Sequence, residues 1–533
     1  MAKRQNKLCF VGNYHEIERE AIRQTVCSNL PVDHTVLNNH YCILHAPTLD
    51  KNHEEFDSVF KQRISRQESY YEAVVFPIPI DLNHYEFSLP LNFSRATFLS
   101  HVILTDMRIK NIYFDRAVFR SFAQFYNCFF SEHATFTGAM FEAEAQFTGS
   151  HFKTGRFDHV TFRGRTQFNG WAKFLDEAEF ASARFQGPTN FDTVTFESSV
   201  NFNEAEFDET SKVSFSQSSF RDAVSFQKTV FKGYVNFEGT GSRMVFGDAA
   251  SLSLRNARIE APEKLSFHSV RLRPNWFVGA DSRKFTFTNI QWDSRGRDVS
   301  AKYELMALNN DKNATHCPTV ARFRLLSIAC RQLADNAENN NRFEEASMFR
   351  QAAMETEWFA KKAKIRTWFI ELKNKFVSKQ TSNEGVNQKL ETTTAGAVRK
   401  TGDYFIHALY RWSSYYGESW IWALGILLVI VFGVFPAIYM LPKFQACPKE
   451  KPFAMSLAVC ESNDQQIKNG CECRQRRLSV GEALSHSLMT GTFQTVDYRK
   501  PTTAGEVAMT LEKIVAPLQA ALLAFALRRK FMR

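Results

Sequence analysis

Ahead of residue 420 the chain has no long apolar run. Its start, Met-Ala-Lys-Arg-Gln-Asn-Lys, leads into nothing resembling the apolar core of a cleaved export signal, so residues 1–400 are expected to stay in the cytosol. Acid is not in excess. The 66 Lys and Arg outnumber the 56 Asp and Glu, and the formal charge of +10 suits either nucleic acid or an anionic membrane surface. There is no nucleophile–base pairing, no phosphate-cradling loop and no metal motif in the sequence. An enzyme is therefore not expected, and no catalytic residue, metal or cofactor is assigned.

Histidine is missing from the one place where cysteine clusters. Six of the ten cysteines (Cys9, Cys27, Cys42, Cys128, Cys317, Cys330) are scattered upstream, whereas Cys447, Cys460, Cys471 and Cys473 crowd into one short segment. Cytosolic thiols stay reduced, and an outward-facing loop meets an oxidising space. Four clustered cysteines fit two disulfides of undetermined connectivity. The close pair Cys471 and Cys473 leaves a metal site as the competing reading.

What the chain does hold is a charge-free apolar run from Trp420 to Leu441, 22 residues or about 33 Å as a helix, enough for a bilayer core of ~30 Å. A second apolar stretch, Val507 to Leu527, ends against a basic tail containing Arg528, Arg529, Lys530 and Arg533. With Arg399, Lys400 and Arg411 before the first stretch, both termini are expected in the cytosol. Between the stretches lies an amphipathic segment, Ala483 to Pro501. The order is that of a pore module, which makes the membrane surface the better explanation of the net charge.

Phenylalanine is the other excess, with 51 copies. From Phe136 to Phe207 they recur every five or six residues, then slip once and resume from Phe215 to Phe237. Two residues before each stands Ala, Ser, Gly, Thr or Val, as at Ala134, Ser150, Gly155, Thr166 and Val235. A five-residue period walks around a helix. In short extended segments, residues two apart share a side, so the small residue and the Phe both face inward. Units such as Ala139-Met140-Phe141-Glu142-Ala143 resemble the pentapeptide-repeat family, which implies a right-handed quadrilateral β-helix over about Asn92 to Trp292, with nine or so coils. The sixth residue in many units departs from the family pattern and implies bulged corners. Some family members resemble DNA; the mixed charge of the outward positions argues against that use, and nucleic acid is not an expected partner.

Ahead of the repeat, Lys7 to Gly12 reads as a strand and His15 to Val26 as a helix. His15 and Glu18 lie three apart there, as a metal or acid–base pair would, although a solvated helix face is the plainer reading. A small capping domain is expected, covering the open end of the repeat. After the repeat, two helical stretches meeting at Asn339-Asn340-Asn341 look like a tetratricopeptide-type hairpin, with a third, basic helix from Lys364 to Val377. Asp403 to Ser419, rich in Tyr and Trp, reads as an interfacial helix.

Ser479 to Pro501 resembles the pore loop of two-transmembrane, potassium-channel-like proteins. Thr495, Val496, Tyr498 and Pro501 agree with that motif, while Asp497 and Arg499 replace its two glycines. A potassium filter needs glycine to aim successive carbonyls at the axis, so four stacked carbonyl sites are not expected. A ring of Asp497 would admit cations; Arg499 and Lys500 would favour anions; or Asp497 and Arg499 would pair and plug the entrance. On the second span Glu512, Ala516, Gln519 and Leu523 share a face expected to line a pore or meet a partner helix, and Pro517 stands where the family often has a hinge.

The expected fold class is multidomain: an α/β cap over 1–85, a pentapeptide-repeat β-helix over 86–300, a helical hairpin as coupling domain over 301–378, a linker over 379–402, an interfacial helix over 403–419, and a two-helix transmembrane pore domain with a re-entrant loop over 420–533. That domain divides into a first span at 420–441, an extracytoplasmic loop at 442–480, a pore loop at 481–501 and a second span at 505–527. The expected function is a homotetrameric, weakly cation-selective channel of a bacterial inner membrane, gated by the repeat domain. The alternative is a membrane-anchored scaffold whose pore fold does not conduct. Expected partners are the lipid bilayer, permeating ions, copies of the chain, and a cytoplasmic ligand or protein on the β-helix.

Overall fold

The computed structural model describes residues 26–27, 34–36, 39–46, 52–83, 85, 87–240, 245–292, 300–310, 319–379, 408–413, 419–441, 447–448, 478–494, 498–499 and 503–531. They form two compact units, 1–356 and 357–533.

The first unit is a parallel β-solenoid of about ten turns. Its strands are mostly two residues long and pair only with the turns before and after. Phe119 stands opposite Phe141, and Phe141 opposite Phe162. The pairs line up in columns that form nine-, ten- and eleven-stranded parallel sheets, and within the eleven-stranded one His151–Arg156 pairs with Lys173–Phe174 at one end and with Ala178–Glu179 at the other.

The Phe side chains stack up the inside of these columns. Phe168 lies between Phe147 and Phe191, with centroids 4.7 and 4.9 Å apart and planes within 8° of parallel. Rings of neighbouring columns meet edge to face, as Phe168 meets Phe157 at 5.3 Å and 86°. Both geometries satisfy the ring quadrupole, worth about 0.5–1.5 kcal/mol per pair beyond area burial. The small inward residue leaves room for the ring of the next turn. A Cβ added to Gly155 would meet Phe174 Cε1 at 2.7 Å.

Corner chemistry explains the mixed period. Where the spacing is five, the residue two after the Phe generally sits at positive φ and the chain closes a four-residue turn. Gly138 is at 67°, and the Ala139 amide donates to Phe136 O at 2.9 Å. Most of these positions are not glycine: His159, Ser182, Thr193, Glu204, Gln217 and Lys228 all adopt φ between 54° and 63°. The ladder on both sides holds them there against a cost of ~1–2 kcal/mol each. The sixth residues fall mainly at the other corners, and at Phe168–Phe174 two successive positive-φ residues, Gly170 and Trp171, absorb one. The outward face carries exposed pairs between turns, such as Lys153–Glu132 and Lys228–Glu204, so neither sign dominates.

Both ends of the coil are covered. Helix His53–Ser65, capped by Asn52, sets Phe56 and Phe60 against Phe76 of Val75–Phe76, the first paired strand of the coil. At the far end, Trp292 meets Phe349 edge-on at 4.8 Å. Asn336 of helix Thr319–Asn339 shares its side-chain N–H donors among the carbonyls of Ser282, Arg283 and Phe285. The next helix runs unbroken from Phe343 to Lys379, so the separate basic helix expected at Lys364 to Val377 is its second half. Ala360-Lys361-Lys362-Ala363 are all strong helix formers and supply no stop.

In the second unit two helices are long and apolar enough to cross a membrane, Trp420–Tyr439 and Thr503–Arg528. At ~1.5 Å per residue, the 20 residues of the first make about 30 Å. Only 33% and 22% of their apolar windows are buried, which is not the pattern of helices inside a soluble core. A shorter helix, Val480–Gly491, opens with a capping box between Ser479 and Glu482 and packs on both long ones. Cys447–Pro448 pairs antiparallel with Tyr498–Arg499.

Candidate functional site

The polar residues of the second unit meet in one place. Between Val429 and Phe435 the first long helix widens into a π-turn, Ile430–Val434. There the Phe435 amide donates to Ile430 O, one residue beyond its α-helical partner. Pro436 has no N–H to give to Val431 O, the next acceptor in that register. The Ser487 hydroxyl of the short helix lies 2.8 Å from that carbonyl and supplies the missing donor.

Ser487 also reaches Glu512 of the second long helix, whose other carboxyl oxygen accepts from the Tyr439 hydroxyl. Tyr439, Ser487 and Glu512 are fully buried. The Ser487 hydroxyl thus lies within reach of both Val431 O and the Glu512 carboxyl. His486 closes the cluster: its ring packs 4.5 Å from that of Tyr439, and Nδ1 lies 3.3 Å from the Thr490 hydroxyl. All three helices are thus joined through a carboxyl group in an apolar setting, where hydrogen bonding offsets the cost of burial.

Two further contacts lie along the same face of the second helix. Ala516 meets the end of the short helix so closely that a Cβ at Gly491 would stand 3.3 Å from its own Cβ. The Gln519 amide donates to Ser413 O at 2.6 Å and Ala423 O at 3.0 Å, tying residues 408–413 to both long helices. Those residues are helical. Their neighbourhood is aromatic and basic. The Arg411 guanidinium lies over Trp358 at 4.6 Å, and Trp422 Nε1 donates to Trp412 O at 2.7 Å.

Glu512, Ala516 and Gln519 therefore find their partners inside one chain, with Leu523 half-buried below them. The face expected from the sequence to line a pore or meet a partner helix packs, among the described residues, on other helical segments of the same chain. The open face of the second helix is apolar instead: Val507, Leu511, Ile514 and Leu518 are all more than half exposed. Pro517 lies within a continuous helix from Thr503 to Phe531. Thr495, Val496 and Asp497 lie outside the described residues, as do His15, Glu18, Cys460, Cys471 and Cys473; Tyr498, Arg499 and Cys447 are described by their backbone alone.

Sequence reasoning missed Tyr439, Ser487 and His486. A signal was present, because His486, Ser487 and Thr490 form a polar patch at helical spacing in a segment otherwise fit for lipid. Compared with protein-family models, curated proteins and solved structures, the chain matches none.

Proposed function

We propose that this chain is one subunit of a homotetrameric ion channel in a bacterial inner membrane, with both termini in the cytoplasm. In this reading the two long apolar helices span the bilayer and Val480–Gly491 is the re-entrant pore helix. The solenoid is the right-handed, four-sided coil of the pentapeptide-repeat family, acting as a cytoplasmic sensor. The carrying observation is the short helix packed on both long ones. Its 12 residues make about 18 Å, too little to cross, so the chain must turn back. The pairing of Cys447–Pro448 with Tyr498–Arg499 supports the same hairpin, since it joins the segment after the first long helix to the segment before the second.

Conduction would be weakly cation-selective. The Tyr498–Arg499 backbone is engaged with another strand, which supports a loop without stacked carbonyl sites. The acidic ring then rests on Asp497. The exposed Val507, Leu511, Ile514 and Leu518 would face lipid or neighbouring subunits, which calls for an assembly. The exposed Trp412 and Trp422 suit the headgroup layer.

The satisfied polar cluster favours a second reading, a membrane-anchored scaffold with a non-conducting pore fold, because Glu512 and Gln519 need no lumen. Purified protein in liposomes separates the two. A channel passes cations, and its reversal potential in asymmetric salt shifts in Asp497→Asn. Absence of flux from a folded, reconstituted tetramer under every stimulus applied leaves the scaffold. A protein that is monomeric in detergent and in bilayers removes the channel.

A further inference from the structure

The cap of the first unit brings together two thiols and an imidazole that the sequence holds apart. Cys42 and His45 are buried and Cys27 nearly so. Cys27 Sγ and Cys42 Sγ each lie 3.2 Å from His45 Nδ1, and the two sulfurs are 3.7 Å apart. On the far side of the ring, His45 Nε2 is 3.2 Å from the carbonyl oxygen of Glu72. A proton on Nε2 donates to that carbonyl and leaves the Nδ1 lone pair aimed between the sulfurs. Metal-ligating histidines are commonly oriented this way.

The backbone prepares the arrangement. The amides of His45 and Ala46 both donate to Cys42 O at 3.1 Å, folding the Cys42–His45 stretch so that the thiol and ring point the same way. Ile43 and Leu44 go into the core, and the Val75 amide donates to Leu44 O at 2.9 Å, hanging the turn on the first paired solenoid strand. Beside Cys27, Val26 O accepts from Arg63 Nη1 at 2.9 Å, which fixes that segment to helix His53–Ser65.

Distances discriminate between a metal site and a chance contact. Around tetrahedral zinc, Zn–S of ~2.3 Å sets two sulfurs about 3.8 Å apart, and Zn–N of ~2.0–2.1 Å sets sulfur and nitrogen about 3.5 Å apart. The sulfur–sulfur edge already fits, and the sulfur–nitrogen edges open by about 0.3 Å with a small turn of the ring. Two thiolates and one imidazole suit zinc better than a hard, oxygen-preferring cation. The fourth tetrahedral position needs a further ligand. Cys9, the one other cysteine in the first hundred residues, lies outside the described residues.

We propose that Cys27, Cys42 and His45 bind one structural Zn²⁺ that fastens the cap to the N-terminal end of the solenoid. Binding releases the two thiol protons and adds its free energy to folding. In the sequence these cysteines are only scattered upstream residues. The clusters at Cys42 and His45 and at Cys27 are 15 residues apart in sequence and meet only through the fold.

The test uses full-length protein purified in detergent from zinc-supplied cells. Elemental analysis is expected to give about one zinc per chain, lost in Cys42→Ser and in His45→Ala and kept in the Cys471→Ser/Cys473→Ser double variant. Because the cap variants can misfold, wild type is also stripped with a chelator and reloaded. Cobalt should produce the visible absorption of a tetrahedral thiolate site, and zinc but not magnesium should restore the thermal midpoint. A folded wild type that takes up neither metal overturns the proposal. So does zinc that persists in Cys42→Ser/His45→Ala, or a Cys27–Cys42 disulfide mapped in folded, metal-free protein.

Discussion

Phe168 in the solenoid and Glu512 in the helical unit are both fully buried, and they are held in different ways. Phe168 has two stacked neighbours and several edge-on ones, and the same arrangement repeats up the coil. Glu512 has two hydroxyl partners from two different helices, and the described residues hold no second copy of that arrangement. Repetition makes the solenoid insensitive to the identity of any one contact. The helical unit depends on a few singular ones. Exposed apolar helices gain little specificity from burial, so directional bonds to a buried carboxyl decide which faces meet.

The comparison is sharpest at its centre. Phe168→Ala should cost about 3–5 kcal/mol in unfolding free energy, from lost burial and a cavity between stacked rings. Denaturant unfolding of the full-length protein, followed by tryptophan fluorescence, measures it. A loss below about 1 kcal/mol would mean that the coil closes over the gap and that stacking contributes little.

Glu512→Ala should cost about 2–3 kcal/mol, because it removes the carboxyl that bonds both Tyr439 and Ser487 and leaves a cavity where the three helices meet. Glu512→Gln keeps an acceptor and a donor and should recover at least half of that. Thermal melts in detergent compare them. Equal damage from both would show that the carboxyl, and not the hydrogen-bond network, is what the helices require.

Gly155→Ala tests the small-residue rule. The new Cβ would meet Phe174, so a loss of about 1–3 kcal/mol is expected, although its register partner in the next turn is Ala178. Ser487→Ala should cost about 1–2 kcal/mol by leaving Val431 O without a donor beside Pro436. If Ser487→Ala proves neutral, the π-turn is held by packing alone.

Gln217→Gly is the smallest change and runs the other way. Its φ of 54° strains a side-chain-bearing residue, so glycine should stabilise by roughly 0.5 kcal/mol after its own entropy cost. A destabilised variant would show that the corner is not strained.

The Phe ladder was legible because a short-period repeat reports its own geometry. Residues two apart face one side, and each Phe meets the equivalent ring one turn away. The two apolar helices were legible from length and composition. The five-versus-six alternation was visible as irregularity, and its cause, left-handed residues at some corners and not others, required the backbone. The junction near Lys364 was misread because a change in charge pattern looks like a boundary when no breaker is present. The packing of Glu512 and Gln519 on other helical segments of the same chain was out of reach, since a helical face names its residues and not the partner it meets.

Sequence by itself determined that this chain builds a stacked aromatic coil followed by helices fit for lipid, because both follow from local period and composition. Tertiary structure alone decided that Cys27 meets Cys42 and His45, that Ser487 replaces the donor Pro436 lacks, and that a carboxyl from the last helix joins the other two. These contacts link segments far apart in the chain, and the physical reason is that closing such a loop depends on everything folded between its ends.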